Sequence, residues 1–117
     1  MQNVSVLSKN VKKEYLAYLR EKGISYIICH DLNEALIKIK NVYKVDCLVL
    51  TGGATINGGF HKEGLIDELS MVMAPYIEGN HQEKGYAELD EFVNHKYVYK
   101  TMKPLGDGGI HLLFERR

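Results

Sequence analysis

Apolar residues fall into short runs that alternate with stretches of helical spacing, so the first half of the chain predicts strands and helices in turn. Val4 to Leu7 predicts a short strand. Residues 11–19 repeat apolar side chains at helical spacing, with Asn10 as the expected N-cap and Gly23 as the stop. Residues 24–29 are nearly all apolar, which is typical of a strand buried on both faces.

The same alternation continues to residue 50. Asp31 and Glu34 have the spacing of a capping box, and the helix behind them carries an apolar stripe. Val45 to Leu50 is rich in β-branched residues and leucine and predicts a third strand. Three strands joined by two helices indicate parallel pairing with right-handed crossovers.

The pattern changes after the third predicted strand. A helix is expected from about Ala54 to Glu63, then a strand from Leu69 to Ile77 and a polar loop over residues 78–91. Tyr97 to Lys103 and Gly109 to Glu115 predict a hairpin. The expected fold is α/β: a mixed, mostly parallel sheet with flanking helices and a C-terminal antiparallel hairpin.

Composition narrows the class of protein. The 117 residues suit one domain over 1–117, and 45% of them are apolar. Fifteen basic and fifteen acidic residues balance to a net charge of +0, which argues against nucleic acid as a partner. No apolar run is long enough to span a bilayer, and no secretory signal is evident. Cys29 and Cys47 lie in apolar runs and are interpreted as buried thiols, so a cytoplasmic location is expected.

The strongest chemical signal is the glycine pair between the third strand and the following helix. Gly52 and Gly53 let a ligand approach the backbone without an intervening Cβ. The amides of Ala54, Thr55 and Ile56 would begin the helix and favour a phosphate, and the Thr55 hydroxyl adds one more donor. A tight strand-to-helix turn with no ligand remains the alternative.

A second candidate lies at the end of the first strand, where Ser8 and Lys9 could bind another phosphate. An exposed lysine beside a turn serine is the alternative. The five histidines show no metal-ligand spacing, so no metal site is expected and all five are interpreted as structural or surface residues. Asp67 and Glu68 are expected to make strand or loop hydrogen bonds, and a general acid is the alternative role for this pair. No catalytic side chain is identified.

Three runs together resemble a known family: Leu48-Val49-Leu50-Thr51-Gly52-Gly53-Ala54-Thr55-Ile56-Asn57-Gly58, Gly64-Leu65-Ile66-Asp67-Glu68-Leu69, and Ala74-Pro75. They resemble the C-terminal reductase domain of bifunctional riboflavin-biosynthesis enzymes (RibD), within the dihydrofolate-reductase-like proteins. The resemblance covers essentially the whole chain. It implies an NADPH-dependent oxidoreductase that transfers hydride to a small pyrimidine-type substrate, as 5-amino-6-(5-phosphoribosylamino)uracil reductase does.

The resemblance also assigns residue roles. Gly52 and Gly53 would meet the NADPH pyrophosphate, helped by the amides of residues 54–56, and the Gly52–Gly53 bond would be cis. Ser8 and Lys9 match the strand end that meets the 2′-phosphate. Thr51 stands on the substrate side, where riboflavin reductases usually have Glu, which leaves the substrate open.

The chain resembles only the later part of the family's domain, since its first strand corresponds to the family's third. We therefore expect a truncated dihydrofolate-reductase-like domain, lacking the first strands, that forms a homodimer to cover exposed edges. In the family's fold the absent strands separate predicted strands 1, 3 and 4, so without them we expect the sheet to close up in the order 2-1-3-4-6-5. The expected core is made of Val6, Ile27, Leu48, Leu50, Val72, Leu112 and Phe114. A non-catalytic nucleotide-binding remnant, or a structural or interaction domain that keeps only the fold, is the alternative function.

Overall fold

The computed structural model describes residues 3–80, 82 and 85–117. These divide into two compact units, Met1–Val49 and Leu50–Arg117, which are described separately. The elements in chain order are β1 (Val4–Ser8), α1 (Lys13–Glu21), β2 (Ser25–Cys29), α2 (Leu32–Tyr43), α3 (Ala54–Lys62), β3 (Glu68–Met73), β4 (Tyr97–Pro104) and β5 (Ile110–Arg116). The α/β class predicted from the sequence is confirmed. No helix in the described part of the chain is long and apolar enough to cross a membrane.

The first unit is a parallel β1–β2 pair with one helix after each strand. Val4 lies opposite Ser25 and Ser8 opposite Cys29, so the two strands end at the same level. The buried side chains of this unit come from β2 and from both helices: Leu19, Ile27, Cys29 and Ala35. The predicted parallel pairing of the first two strands is confirmed.

Both helix starts of the first unit were predicted, and one prediction is wrong. The Asp31 carboxylate accepts the amide of Glu34 at 2.7 Å, and the Glu34 carboxylate accepts the amide of His30 at 2.6 Å. The predicted capping box therefore forms, with its return hydrogen bond shifted to His30, the residue before the N-cap Asp31. Asn10, however, does not cap α1, whose N-cap is Lys12 and has no side-chain cap. The chain turns before the helix, where the Val11 amide bonds the Ser8 carbonyl, and this places Asn10 two residues too early.

The second unit contains an antiparallel sheet in the order β3-β5-β4. Cross-strand partners share a face, so the register collects nine apolar residues on one face: Leu69, Met71, Met73, Tyr99, Met102, Pro104, Ile110, Leu112 and Phe114. A register shift between Tyr99 and Thr101 leaves Lys100 outside the ladder, where its ammonium reaches the Glu68 carboxylate at 2.9 Å. This pair raises the pKa of Lys100.

The predicted third strand, Val45 to Leu50, is wrong. These residues form no strand, and the sheets are β1-β2 and β3-β5-β4, which are the two ends of the predicted order without its middle. Cys47 is exposed, and Leu48 and Val49 are 51% and 78% exposed to solvent. Strand propensity reflects how well a residue fits a half-buried pleated surface, and none of the described strands pairs with residues 45–50 to provide one.

The predicted core is only partly correct for the same reason. Ile27 is buried, but Val6 is 46% exposed and Val72 is 65% exposed. Val72 lies opposite His111, on the face of the β3-β5-β4 sheet that also carries Ser70 and Lys103. The prediction placed Val72 in the core, whereas its sheet separates an apolar face from a polar one and Val72 lies on the polar face.

Candidate functional site

Helix α3 begins directly after the glycine pair, without a side-chain cap. Gly53 is the N-cap, and its carbonyl accepts the Asn57 amide at 3.0 Å, the first hydrogen bond of the helix. Within the described residues, the amides of Ala54, Thr55 and Ile56 donate to no other group. The first turn of α3 also carries no acidic residue. These are the bare donors and the positive helix end that bind anions in many proteins.

The backbone at the glycine pair is open on its outer side. Gly52 has φ +100°, and the Gly52–Gly53 peptide bond is cis, as the family resemblance predicted. A Cβ built on Gly53 would meet nothing within 4 Å, while one on Gly52 would lie 3.5 Å from the side-chain Nδ2 of Asn57. The surface above Gly53 is thus free to receive a phosphate group, and the residues present fit the pyrophosphate of a dinucleotide.

A segment from the following loop is tied to the side of α3. The Glu88 amide donates to the Ala54 carbonyl at 2.9 Å, and the Asn57 side chain donates to the Tyr86 carbonyl at 2.8 Å. A Cβ on Gly58 would lie within 3.0 Å of the Glu88 carbonyl carbon. Gly58 therefore provides close contact between helix and loop.

The Thr55 hydroxyl, predicted to contact a phosphate, donates to the Glu88 carboxylate at 2.8 Å. Sequence reasoning missed Glu88, which is 33 residues from Thr55 and lies in a loop without a recognisable motif. The Asn57 side-chain oxygen is buried and has no hydrogen-bond partner among the described residues. The glycine turn, the first turn of α3 and the Tyr86–Glu88 segment thus form one polar cluster in the second unit.

Ser8 and Lys9 lie at the end of β1 in the first unit, and both are exposed. Glu34 is an acidic residue close enough to Lys9 to feel its charge, and the sequence did not predict this proximity. Its hydrogen bond to Lys38, the His30 amide and the positive charges of Lys38 and Lys9 lower its pKa to about 2. The capping-box spacing of Asp31 and Glu34 predicted that Glu34 lies in the first turn of α2. It did not predict the electrostatic interaction between Glu34 and Lys9.

The described histidines do not form a metal site. His61 stands edge-on to His95, with ring centroids 5.4 Å apart, and stacks on Tyr97 at 6.0 Å. His111 Nε2 shares a hydrogen bond with the Ser70 hydroxyl at 2.8 Å. No group of three or more potential metal-ligating side chains occurs in residues 3–80, 82 and 85–117. His81 lies outside the described residues.

Tyr97 is held at the edge of the β3-β5-β4 sheet by its own hydroxyl. It donates to the Ile66 carbonyl at 3.1 Å, and burial raises the pKa of Tyr97, with a further upward effect from Asp67.

Asp67 and Glu68 make the structural contacts predicted for them. The Arg116 guanidinium pairs with Asp67 at 2.9 Å and also donates to the Gly64 carbonyl, which joins the end of β5 to the start of β3. Glu68 pairs with Lys100. Thr51 is exposed and makes no hydrogen bond to the described residues, so its substrate-side role remains a prediction.

Comparison of the chain with known proteins identifies its family. Residues 2–110 match the family described as the RibD C-terminal domain. A pyrimidine reductase-like protein from Corynebacterium diphtheriae superposes with a TM-score of 0.80 at 13% identity, covering 97% of this chain and 50% of that one. RibD from Acinetobacter baumannii superposes in two forms, with TM-scores of 0.75 and 0.74 at 20% identity, covering 96% of this chain and 31% of that one. The chain thus spans half or less of these solved structures.

Proposed function

Because the chain belongs to the RibD C-terminal domain family, we propose that it binds NADPH and acts as a reductase in hydride transfer to a small pyrimidine-type substrate. Family membership supports oxidoreductase chemistry of this general kind. The observation that carries the proposal to this chain is the uncapped start of α3 beneath an open glycine pair. Bare amides at the start of a helix bind phosphate without a lysine, so this place suits the pyrophosphate of a dinucleotide.

The proposed cofactor contacts follow from the donors that each unit offers. In the second unit, Gly52 and Gly53 leave room for the pyrophosphate, and the amides of residues 54–56 would bind its oxygens. In the first unit, Ser8 and Lys9 would hold the 2′-phosphate, which distinguishes NADPH from NADH. Thr51 would stand on the substrate side. When bound, NADPH supplies the hydride, and the protein contributes the position of the cofactor relative to its acceptor.

A second candidate is a nucleotide-binding domain without catalysis of its own. It requires only the bare donors at the start of α3, and no catalytic side chain is identified among the described residues. Binding and turnover therefore need separate measurements.

Binding is tested by the melting temperature of the chain with and without NADPH. A ligand at 100 times its dissociation constant stabilises a folded protein by about 2.7 kcal/mol. The matched variants are Gly53→Asp and Gly79→Asp, because both glycines leave open space for a Cβ and only Gly53 caps α3. We expect Gly53→Asp to abolish the shift and Gly79→Asp to preserve it. No shift in the unmodified chain at millimolar NADPH would rule out both functions.

Turnover is tested by following NADPH absorbance with the ribosylaminopyrimidine phosphate that the reductases of riboflavin synthesis use. Oxidation of NADPH that depends on this substrate supports the reductase. Binding of NADPH without oxidation supports the non-catalytic alternative.

A further inference from the structure

The N-terminus of α3 already has an anionic neighbour, and that neighbour is not part of the helix. Most helix starts gain a capping side chain or an acidic residue in the first turn, but α3 has Gly53 as its cap and no first-turn acid. The carboxylate of Glu88 accepts the Thr55 hydroxyl at 2.8 Å, so it brings a negative charge to the second residue of the helix.

We propose that the Glu88 carboxylate competes with a ligand phosphate for the first turn of α3 and thereby sets the affinity of that site. This proposal rests on the proposed function, whose phosphate site it deepens. A hydroxyl has one hydrogen to donate, so Thr55 can serve either Glu88 or a phosphate oxygen. The two anions also repel one another across the few ångströms of a helical turn, and this repulsion weakens phosphate binding.

The main chain around Glu88 is attached to α3 by contacts that do not involve its carboxylate. The Glu88 amide is bonded to the Ala54 carbonyl, and the Tyr86 carbonyl accepts from Asn57. The close approach of the Glu88 main chain to Gly58 fixes the segment at a third point. None of these contacts uses the carboxylate, so rotation of the Glu88 side chain leaves the segment attached to the helix.

The test compares Glu88→Gln with the unmodified chain, because glutamine keeps the size and the acceptor oxygen and removes the charge. The matched control is Glu91→Gln, which makes the same change three residues further on. Glu91 pairs with Lys62 at 3.3 Å, at the opposite end of α3 from the glycine pair. Dissociation constants for NADPH are measured by titration calorimetry at 20 mM and 300 mM NaCl, with inorganic pyrophosphate as a second probe.

We expect Glu88→Gln to bind NADPH and pyrophosphate about three- to tenfold more tightly at low salt. The gain should shrink at 300 mM NaCl, because salt screens charge repulsion between exposed groups. Glu91→Gln should stay within about twofold of the unmodified chain. A purely structural role for Glu88 would instead change the melting temperature and give no salt-dependent gain in affinity.

Failure of this inference and failure of the proposed function give different results. If the unmodified chain binds NADPH and Glu88→Gln binds it equally or more weakly, the competition is wrong and the proposed function stands. If only Glu88→Gln binds, the carboxylate excludes the ligand and the inference holds in its strongest form. If neither protein binds NADPH at millimolar concentration, both proposals are overturned.

Discussion

The carbonyl of Glu88 lies against the Cα of Gly58 so closely that the helix and the loop can meet only if residue 58 has no side chain. This contact is the packing counterpart of the two hydrogen bonds that join residues 86 and 88 to α3. It explains why a residue that weakens helices by about 1 kcal/mol occupies the middle of a nine-residue helix.

We predict that Gly58→Ala destabilises the protein although alanine favours helices. Relief of the glycine penalty would add about 1 kcal/mol, but the new methyl group must displace the Glu88 backbone, and such overpacking costs about 1–3 kcal/mol. Loss of the two neighbouring hydrogen bonds adds to that cost. Urea unfolding should therefore give a lower midpoint for Gly58→Ala than for the unmodified chain.

The control for this substitution is Gly79→Ala, where a Cβ would meet nothing within 4 Å. Its unfolding midpoint should remain close to that of the unmodified chain. A Gly58→Ala protein with unchanged or higher stability would show that the Tyr86–Glu88 segment does not pack on α3 as described.

A second prediction concerns the two cysteines, which the sequence treated alike. Cys29 is buried in β2, and its thiol donates to the Leu7 carbonyl at 3.6 Å, whereas Cys47 is exposed. An aromatic disulfide reagent should therefore modify one thiol rapidly in the native protein and the second only after denaturant is added. Cys47→Ser should remove the rapid phase and leave the slow one. A rapid phase that persists in Cys47→Ser would contradict the structure.

The sequence predicted those parts of the fold that depend on local chemistry. The parallel pairing of β1 and β2, the Asp31 capping box and the antiparallel order β3-β5-β4 are confirmed. The order β3-β5-β4 was expected from the fold of the family that the sequence resembles, whereas the first two follow from residues close in the chain. The glycine pair was recognised for the same reason, since two adjacent glycines before a helix are a local signal.

The failures arise where the outcome depends on distant partners. Residues 45–50 have a strand composition, but a strand needs a neighbour, and none of the described strands pairs with them. Cys47 is exposed as a direct consequence. Glu88 and Tyr86 were missed because a loop without a motif gives no sign that it will fold back onto a helix more than 30 residues earlier.

A third prediction tests the proposed role of Lys9. If its ammonium binds the 2′-phosphate, Lys9→Gln should weaken NADPH binding about tenfold and leave NADH binding within about twofold, because only NADPH carries that phosphate. The matched control is Lys12→Gln, an exposed lysine just before α1. Equal losses for both cofactors would contradict a 2′-phosphate contact.

Glu34 joins two elements of the first unit through its carboxylate. It accepts the His30 amide after β2 and pairs with Lys38 on the next turn of α2 at 2.7 Å, and Lys38 also donates to the Ile28 carbonyl at 2.7 Å. The contacts with the His30 amide and with Lys38 are made by the ionised carboxylate of Glu34. They lower the pKa of Glu34 from 4.5 to about 2, with the Lys38 hydrogen bond as the largest cause.

We therefore predict a pH-dependent contribution of Glu34 to stability. A carboxylate whose folded pKa is lowered contributes fully above its unfolded pKa, near 4.5, and loses that contribution as the pH falls towards 2. Glu34→Gln should melt at a lower temperature than the unmodified chain at pH 7, and the difference should close between pH 4.5 and 2. Glu14→Gln makes the same change in the first turn of α1 and serves as the control. A melting difference for Glu34→Gln that stays constant from pH 7 to pH 2 would mean that the charge of Glu34 does not stabilise the capping box, and that only its shape does.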